Sequence, residues 1–462
     1  MNNLNDVIVK SLAISLSGGG HRASLFTLGT LMYLVDAEAN ARVTSIASVS
    51  GGSLTNGFVG QALDFKNTNG DDFRQLVARP LATQIAKSGT FFAPLLTKAY
   101  VALLIVGLIL AVAIPIWMPV AWYLRILVFV VLLLAWGWIF GKRGSVCARA
   151  FNTTLFSPNG RTTTLAQIKK NDLDHVICAT ELRSAEQVYF GGDFIYTFWL
   201  GHGVPGQLPL ARAVQASACF PVGFPPTNLP TKQHHFTGAP SIPGGPPTPP
   251  NKMVLMDGGV YDNMGDQWAR GFRERVGRWE DLGKGRLAPE QLIVVNASAR
   301  IAWDPFREVL VPLFGELAAI NRVLDVLYIN TTNVRRQNIV ASYDPDEPVP
   351  ASVIPSVLVQ IAQSPYVVAD YYARRTTPVA QRAQAVIKML GDTPENKKAW
   401  AKIASDNSVV ATSLSKFKPE VTARLMYQGY VVAMCNLHVL FGEEFPLRPQ
   451  ELAFDRFREL IS

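Results

Sequence analysis

The strongest constraint on the fold of this chain is a strand that leads directly into a Ser-Gly-Gly turn and then a helix. Residues 44–49, TSIASV, are β-branched and apolar, which predicts a buried strand. Ser50 follows with two glycines, and the apolar positions among residues 54–59 predict the start of a helix. A strand, a tight turn and a helix in direct succession favour an α/β fold with Ser50 at the end of the sheet.

This stretch is typical of the G-x-S-x-G nucleophile elbow, in which a sharp turn lifts a serine hydroxyl clear of the sheet. Gly52 is in place, but Ser48 replaces the first glycine. That glycine normally lets strand and helix pass closely, and because serine is small we expect strain rather than loss of the elbow. The alternative is a Ser/Gly-rich loop after a strand, and structural context has to decide between the two.

A second strand and turn lie near the N-terminus. Residues 12–17, LAISLS, predict a strand that leads into three glycines at 18–20, and residues 23–35 predict an amphipathic helix. Backbone N–H groups at such a helix start can bind an anion or a developing oxyanion. A Walker loop would need a lysine that is missing. A dinucleotide fingerprint over residues 18–23, with Asp36 as its acid, remains a weaker alternative.

The third segment is far downstream, where the apolar residues 254–256 are followed by Asp257 and two glycines. An acid at a strand end beside glycines can be a turn residue. It can also be the base that takes the proton from a serine.

Together these segments resemble the patatin-like phospholipase family. The resemblance extends to residues 211–226, ARAVQASACFPVGFPP, to residues 175–182, HVICATEL, to the pair 262–263, and to residues 428–430. It covers roughly residues 11–90, 150–300 and part of the C-terminal third. The departures are Ser48 in the elbow and Gly265 where a proline often follows the Asp-Gly-Gly block.

The resemblance implies a three-layer α/β/α sandwich and a Ser–Asp dyad in place of a triad. Ser50 would be the nucleophile and Asp257 the general base, since an alcohol is a poor nucleophile at pH 7 without one. The chain order Ser50, Asp257, His438 also allows a Ser-Asp-His triad. His438 stands in an apolar helix, however, where a histidine is usually a packing residue. His21, beside the glycine turn, is more accessible but is not expected to take part, so we favour the dyad.

The resemblance also implies an oxyanion hole made by the triple-glycine turn. The backbone N–H groups of Gly18, Gly19 and Gly20 would hold the oxyanion, each donor contributing roughly 3–4 kcal/mol. Arg22 lies beside them and cannot deprotonate, so it can support the loop or meet a lipid phosphate.

Two charge-free segments, residues 99–118 and 126–140, interrupt the resemblance. Each is long enough, or nearly so, to cross a hydrocarbon core about 30 Å thick. Arg125 and the aromatic residues 117, 122 and 123 cluster between them, which suits a hairpin turn at an interface. The alternatives are a re-entrant hairpin, which Pro115 and Pro119 would permit, and a buried hairpin in a soluble core.

Basic residues set the predicted orientation of this hairpin. Lys98 precedes it, and residues 142, 143 and 149 follow it, so the positive-inside rule puts both ends and the catalytic domain on the cytoplasmic side. Residues 1–10 carry no basic region followed by an apolar core, so we expect no signal peptide. The predicted organisation is a catalytic domain in two parts, residues 1–92 and 144–462, with a transmembrane hairpin at 93–143.

The net charge of +8 is dispersed and no basic helix carries interleaved aromatic residues, which argues against nucleic acid and for anionic lipid. Four scattered cysteines show no metal spacing, and His234 and His235 have no nearby acids or cysteines, so we expect no metal and no cofactor. The Pro/Gly-rich residues 230–251 around those histidines predict an exposed loop, which we interpret as a candidate lid or membrane-facing flap.

Beyond that loop, residues 292–297 predict another strand and the rest is mainly helical, with helices expected at 309–328, 366–390, 396–404 and 419–441. The predicted function is hydrolysis of a fatty-acyl ester of a membrane phospholipid or lysophospholipid without metal. A neutral-glyceride lipase or acyltransferase is an alternative from the same chemistry. A catalytically silent membrane scaffold is the alternative from another class, and Ser48 is the feature that keeps it open.

Overall fold

A ten-stranded sheet is the centre of the computed structural model, which describes residues 10–221, 223–238, 250–300 and 312–461. Its strands are β1 Leu12–Leu16, β2 Val43–Val49, β3 Asp174–Glu181, β4 Glu186–Phe190, β5 Ile195–Thr197, β6 Gly201–Gly203, β7 Thr227–Pro230, β8 Lys252–Asp257, β9 Gln291–Asn296 and β10 Ser356–Gln360.

Helices in the described residues precede, interrupt and follow this sheet. They are α1 Gly20–Asp36, α2 Gly51–Ala62, α3 Gly70–Phe73, α4 Arg79–Lys87, α5 Leu95–Trp117, α6 Trp122–Phe140, α7 Arg143–Thr154, α8 Leu210–Ser217, α9 Gly259–Asp262, α10 Gln267–Arg270, α11 Phe272–Arg278, α12 Glu280–Gly283, α13 Pro312–Ala341, α14 Tyr366–Tyr372, α15 Pro378–Leu390, α16 Pro394–Ser408, α17 Pro419–Leu440 and α18 Asp455–Arg458.

The strand order is β10-β9-β1-β2-β3-β4-β5-β6, with β8 paired to β3 and β7 paired to β8. The five strands from β10 to β3 run parallel, whereas β4, β5, β6, β7 and β8 pair antiparallel with their neighbours. The parallel strands β1 and β2 end at the same edge of the sheet. The triple-glycine turn and the Ser-Gly-Gly turn that follow them are therefore brought side by side.

Alternate residues of the strands pack against helices on opposite faces of the sheet. Leu12, Ile14 and Leu16 of β1 belong to the core that α1 and α17 share, whereas Ala13 between them packs with Met264 on the other face. This period of two is what a strand buried on both faces requires. The α/β/α sandwich expected from the sequence is therefore confirmed.

Helices α1 and α17 pack closely in the core, and glycines permit the approach. A Cβ atom on Gly29 would meet the carbonyl of Met426, and a Cβ atom on Gly429 would meet the carbonyl of Phe26. Gly429 lies in the segment 428–430 that contributed to the family resemblance, so that match reflects helix packing.

Some predicted elements were wrong in detail. The single helix expected at 366–390 is two helices, α14 and α15, because Pro378 starts a new helix and disfavours helical geometry in the residue before it. The pattern missed β5, β6, β7 and β10. Helix α13 extends to Ala341; residues 309–311 of its expected start, and 239–249 of the Pro/Gly-rich loop, lie outside the described residues.

Helices α5 and α6 form an antiparallel helical hairpin, and side chains on its inner side hold the two helices together. The indole Nε1 of Trp136 donates to the carbonyl of Leu104 at 2.8 Å, and the Tyr100 hydroxyl donates to the carbonyl of Ile139 at 2.8 Å. No residue of α6 is buried, and only three of α5 are. A buried hairpin in a soluble core is thus excluded, and both helices are long and apolar enough to cross a membrane.

Candidate active site

Ser50 stands at the junction of β2 and α2 in a strained backbone conformation, with φ 50° and ψ −113°. A non-glycine residue with positive φ costs about 1–3 kcal/mol, and such strain is concentrated at functional sites. The two glycines that follow Ser50 let the backbone pack closely at this turn. A Cβ atom on Gly52 would lie 2.7 Å from the carbonyl oxygen of Leu16, and one on Gly51 would collide with Gly20. The Ser50 N–H donates to Ser217 Oγ at 2.9 Å.

Strand β3 brings Asp257 to this serine. Val49, at the end of β2, pairs with Cys178, and Asp257, at the end of β8, pairs with the next residue, Ala179. Since β4 occupies the other edge of β3, the ends of β2 and β8 meet at adjacent positions along one strand. Two segments about two hundred residues apart thereby place their terminal side chains together.

The Asp257 carboxyl lies beside the Ser50 side chain and accepts the N–H of Gly259 at 2.8 Å. Only 8% of Ser50 and 5% of Asp257 is exposed. Burial raises the pKa of Asp257 to about 7, although the Gly259 N–H and the neighbouring Ser50 side chain lower it. A carboxylate with a pKa near neutral is suited to accept and return a proton at physiological pH.

The glycine turn lies against the nucleophile. A Cβ atom on Gly18 would be 3.3 Å from Ser50 Cβ, and Gly19 and Gly20 have φ values of 141° and 58° that only glycine adopts without strain. The Gly18 N–H already donates to the carbonyl of Asn263 at 3.0 Å. Within the described residues, the N–H groups of Gly19 and Gly20 have no protein acceptor, and they stand at the positive end of α1.

The Arg22 side chain is turned away from solvent, with only 1% of the residue exposed. Its Nε donates to the carbonyl of Ala297 at 2.9 Å, and its Nη1 donates to the carbonyl of Val410. Burial lowers its pKa to about 10, and the nearby Tyr328 opposes this shift. Of the two roles considered for Arg22, this geometry matches support of the glycine loop.

Neither candidate histidine hydrogen-bonds Asp257. His21 Nδ1 donates to the carbonyl of Ser415 at 2.8 Å, and its Nε2 accepts from the Thr90 hydroxyl at 2.9 Å. Burial lowers the pKa of His21 to about 4, so it stays neutral. His438 Nδ1 bonds the carbonyl of Phe445 at 2.9 Å within the helical core.

A polar network under the elbow was missed by sequence reasoning. Ser48 Oγ donates to the carbonyl of Val176 at 3.1 Å and accepts from Asn56 Nδ2 at 2.9 Å and from Ser53 Oγ at 3.1 Å. Ser53 also bonds Ser217 Oγ at 2.9 Å, which links the network to the Ser50 N–H. The available signal was the spacing of Ser53 and Asn56, which puts two polar residues on one face of a buried helix.

The described residues contain no group of three or more histidine, cysteine, aspartate or glutamate side chains arranged to hold a metal ion. All four cysteines are free and buried. A cavity of about 620 Å³ lies between α10 and α13, with Asp266, Leu327 and Arg335 in its wall, and it does not include the Ser50–Asp257 pair.

Comparison with known proteins places this chain in a family. The profile of the Patatin-like phospholipase family matches residues 14–265, more than half of the chain. The chain therefore belongs to the patatin-like phospholipase family, and the expectation from the sequence motifs is confirmed. Among proteins with curated descriptions, none matches this chain.

Solved structures match this chain at low sequence identity. Human GIVD cytosolic phospholipase A2 is 13% identical with a TM-score of 0.47; the alignment covers 98% of this chain and 60% of that one. The same human protein in complex with methyl gamma-linolenyl fluorophosphonate gives 14% identity and a TM-score of 0.36, with 98% and 60% coverage. VipD from Legionella pneumophila gives 14% identity, a TM-score of 0.27, and 98% and 91% coverage. This chain thus spans about 60% of the length of the human phospholipase.

Proposed function

We propose that this chain is a membrane-anchored serine hydrolase that cleaves a fatty-acyl ester of a phospholipid or lysophospholipid. The observation that carries the proposal is the placement of the buried Asp257 carboxyl beside Ser50, at a strained elbow inside a patatin-like phospholipase domain. The family match and the free amides of the glycine turn support the same reaction class.

In the proposed reaction, Ser50 Oγ attacks the ester carbonyl while Asp257 takes its proton. The N–H groups of Gly19 and Gly20 donate to the oxyanion of the tetrahedral intermediate. Protonated Asp257 then gives the proton to the departing alcohol oxygen, and an acyl-Ser50 ester remains. Water, deprotonated by Asp257, attacks the acyl-enzyme and releases the fatty acid, which restores the Ser50 hydroxyl. The dyad requires no metal or cofactor for these steps.

We further propose that α5 and α6 anchor the enzyme in the bilayer as two transmembrane spans. Their apolar side chains are exposed along the whole hairpin, and the inner polar atoms of Tyr100 and Trp136 are satisfied by backbone carbonyls, as lipid requires. At the end nearest the catalytic domain, the Lys142 ammonium lies 4.4 Å from the Trp138 ring centroid, a pair suited to the headgroup region.

A row of aromatic side chains connects the root of this hairpin to the catalytic pair. The ring centroids of Phe91 and Phe92, just before α5, are 4.8 Å apart; Phe91 lies 5.6 Å from Phe224, and Phe224 lies 5.4 Å from Phe220. The backbone carbonyl of Cys219, the neighbour of Phe220, accepts the N–H of Asp257 at 3.0 Å. This row supports a site that faces the membrane surface, where the substrate concentration is highest.

The proposed activity is tested with full-length protein and mixed phospholipid vesicles, by mass spectrometry of the lipids that remain. Ser50→Ala and Asp257→Ala should each lower fatty-acid release by about 10⁴-fold or more. The exposed residues Ser405 and Asp281 provide matched controls, and Ser405→Ala and Asp281→Asn should retain full activity. Activity retained in either dyad variant contradicts the dyad.

The same experiment separates the alternatives. Consumption of glycerides instead of phospholipids would identify a neutral-lipid enzyme. No turnover together with no labelling of Ser50 by a fluorophosphonate would identify a silent scaffold.

The proposed topology places both hairpin ends and the catalytic domain on the cytoplasmic side, because Lys98, Lys142, Arg143 and Arg149 flank the spans. All native cysteines are buried, so Ala121→Cys at the exposed hairpin turn should be labelled in intact cells by an impermeant maleimide. Ser145→Cys, on the exposed side of α7, is the control and should be labelled only after permeabilisation. Labelling of residue 121 from the cytoplasmic side alone would indicate a re-entrant hairpin instead.

A further inference from the structure

Tyr328 is contributed by α13, beyond the residues that the family profile matches, yet it reaches the catalytic pair. Its ring lies 2.9 Å from the position of a Cβ atom on Gly259, whose N–H holds Asp257. Its hydroxyl lies 3.5 Å from the position of a Cβ atom on Gly18, and Ser50 Cβ lies 3.3 Å from that same position. The Tyr328 side chain therefore spans the distance from the loop after Asp257 to the glycine turn, where it lies next to Ser50.

Two polar groups at this point have no partner among the described residues. The Tyr328 hydroxyl makes no hydrogen bond to the part of the chain that is described, since the bonds from Thr331 and Thr332 go to its backbone carbonyl. The Asn263 Oδ1 atom is buried without a partner and points at Gly18, while its Nδ2 donates to Ser298 Oγ at 2.8 Å. An unpaired buried acceptor is costly, so Asn263 Oδ1 marks a polar place beside the glycine turn, and the Tyr328 hydroxyl next to it is free to donate to a ligand.

The environment of Tyr328 keeps its hydroxyl protonated. Burial raises the pKa of Tyr328, and the negative charge of Asp257 raises it further, whereas the Arg22 guanidinium lowers it. At neutral pH the group is therefore a hydrogen-bond donor that cannot compete with Asp257 as a base.

We propose that Tyr328 is a catalytic residue that donates a hydrogen bond to the oxyanion formed when Ser50 attacks its ester. Its hydroxyl takes the place of the Gly18 N–H, which the carbonyl of Asn263 occupies. Gly19, Gly20 and Tyr328 then form a hole with three donors, and no proton leaves the phenol in this role. The inference rests on the proposed function of Ser50 and Asp257 and adds a donor from outside the matched domain.

The test compares Tyr328→Phe with wild type on two esters in the same detergent: a p-nitrophenyl ester, whose leaving group needs no proton, and a short-chain phospholipid, whose leaving alcohol does. Loss of an oxyanion donor acts before the leaving group departs, so kcat should fall about 10²-fold on both esters with KM little changed. Tyr343→Phe is the matched control; it removes a phenol that donates to the carbonyl of Leu440 at 2.8 Å, and kcat should not change.

Each other outcome overturns the inference. A loss confined to the phospholipid would assign the hydroxyl to the leaving group, and an unchanged kcat would leave it no catalytic role. A fall in the midpoint of thermal unfolding larger than that of Tyr343→Phe, with kcat per folded molecule unchanged, would show a structural role. Wild-type protein that cleaves neither ester would overturn the proposed function and this inference together, whereas active wild type with unchanged Tyr328→Phe overturns this inference alone.

Discussion

Helices α1 and α6 are both rich in apolar residues, but they have opposite surroundings. Every residue of α1 is buried, mainly against α17, whereas no residue of α6 is buried. Burial of apolar surface stabilises α1 within the protein, while α6 leaves the same kind of surface without a protein partner. The comparison teaches that apolar content alone does not identify a membrane segment. The exposed apolar surface of the hairpin needs a nonpolar environment, which we propose is lipid.

The two regions also treat polar atoms differently. Around the elbow, Ser48, Ser53, Asn56 and Ser217 are buried in a shared hydrogen-bond network. In the hairpin, the inner polar side chains are few and bond backbone carbonyls of the facing helix. The first arrangement fixes the geometry of a reaction, and the second fits a helix pair surrounded by hydrocarbon.

The largest effect that separates these regions should come from charges in the hairpin. Val106 and Val131 are exposed near the middle of α5 and α6. An arginine at the centre of a span costs about 3 kcal/mol, so Val106→Arg with Val131→Arg should remove most of the protein from the carbonate-resistant membrane pellet. Release of acid from a soluble ester should continue, because neither residue touches the Ser50–Asp257 pair.

Val409 supplies the control for that experiment, since it is exposed on the catalytic domain outside the hairpin. Val409→Arg should leave the pelleted fraction unchanged. If the double variant stays in the pellet as firmly as wild type, the hairpin is not the anchor and the contrast between α1 and α6 has another cause.

Sequence patterns predicted the elements that carry the site but not how they meet. The strand-turn-helix units at residues 12–35 and 44–59 were visible because apolar runs and glycines are local signals. The pairing of Val49 and Asp257 with adjacent residues of β3 is not local, since three segments far apart in sequence create it. Only the family resemblance joined Ser50 to Asp257 in advance.

Other features had no usable signal in the sequence. Tyr328 lies in a helix that follows the matched domain, and nothing in its neighbours distinguishes it from a packing residue. Ser217 lay inside the matched block 211–226, but its bond to the Ser50 N–H depends on how α8 packs beside the elbow. The break between α14 and α15 is the opposite case. Pro378 was a local signal for the start of a new helix, but the apolar periodicity of residues 366–390 led to the prediction of a single helix.

A second, smaller effect should be a dependence of activity and stability on pH. It concerns only the buried catalytic region, because it depends on Asp257. With the pKa of Asp257 raised to about 7, activity on a soluble ester should rise about tenfold per pH unit below about 7 and level off above it. Stability should change in the opposite direction. The folded protein binds the extra proton between about pH 4 and 7, so stability is full below that window and falls as pH rises through it.

Asp257→Asn measures this contribution, because it removes the buried charge and keeps the shape. At about pH 8 the variant should be more stable than wild type by about 4 kcal/mol, and at pH 4 the two should be alike, as followed by denaturant unfolding. The pKa of Asp262 is also raised to about 7, by burial first and by Asp266 second, so some pH dependence should persist in the variant. Equal stabilities at both pH values would show that the Asp257 carboxylate is not held in a desolvated site.

The smallest effect concerns Ser48, the residue that departs from the elbow pattern. Its hydroxyl bonds Val176, Asn56 and Ser53, but Asn56 Nδ2 also donates to the carbonyl of Ile46 at 2.8 Å, and Ser53 also bonds Ser217. Because these partners keep other bonds, Ser48→Ala should cost only about 1 kcal/mol of stability, and Ser48→Gly about 1 kcal/mol more through backbone entropy.

Activity per folded molecule should stay within about threefold of wild type in both Ser48 variants, because residue 48 does not lie between Ser50 and Asp257. A rise of about 100-fold in the glycine variant alone would mean that the serine restrains the elbow, as a silent scaffold requires. Unchanged activity with the expected loss of stability would mean instead that Ser48 supports the buried network and leaves the chemistry to Ser50.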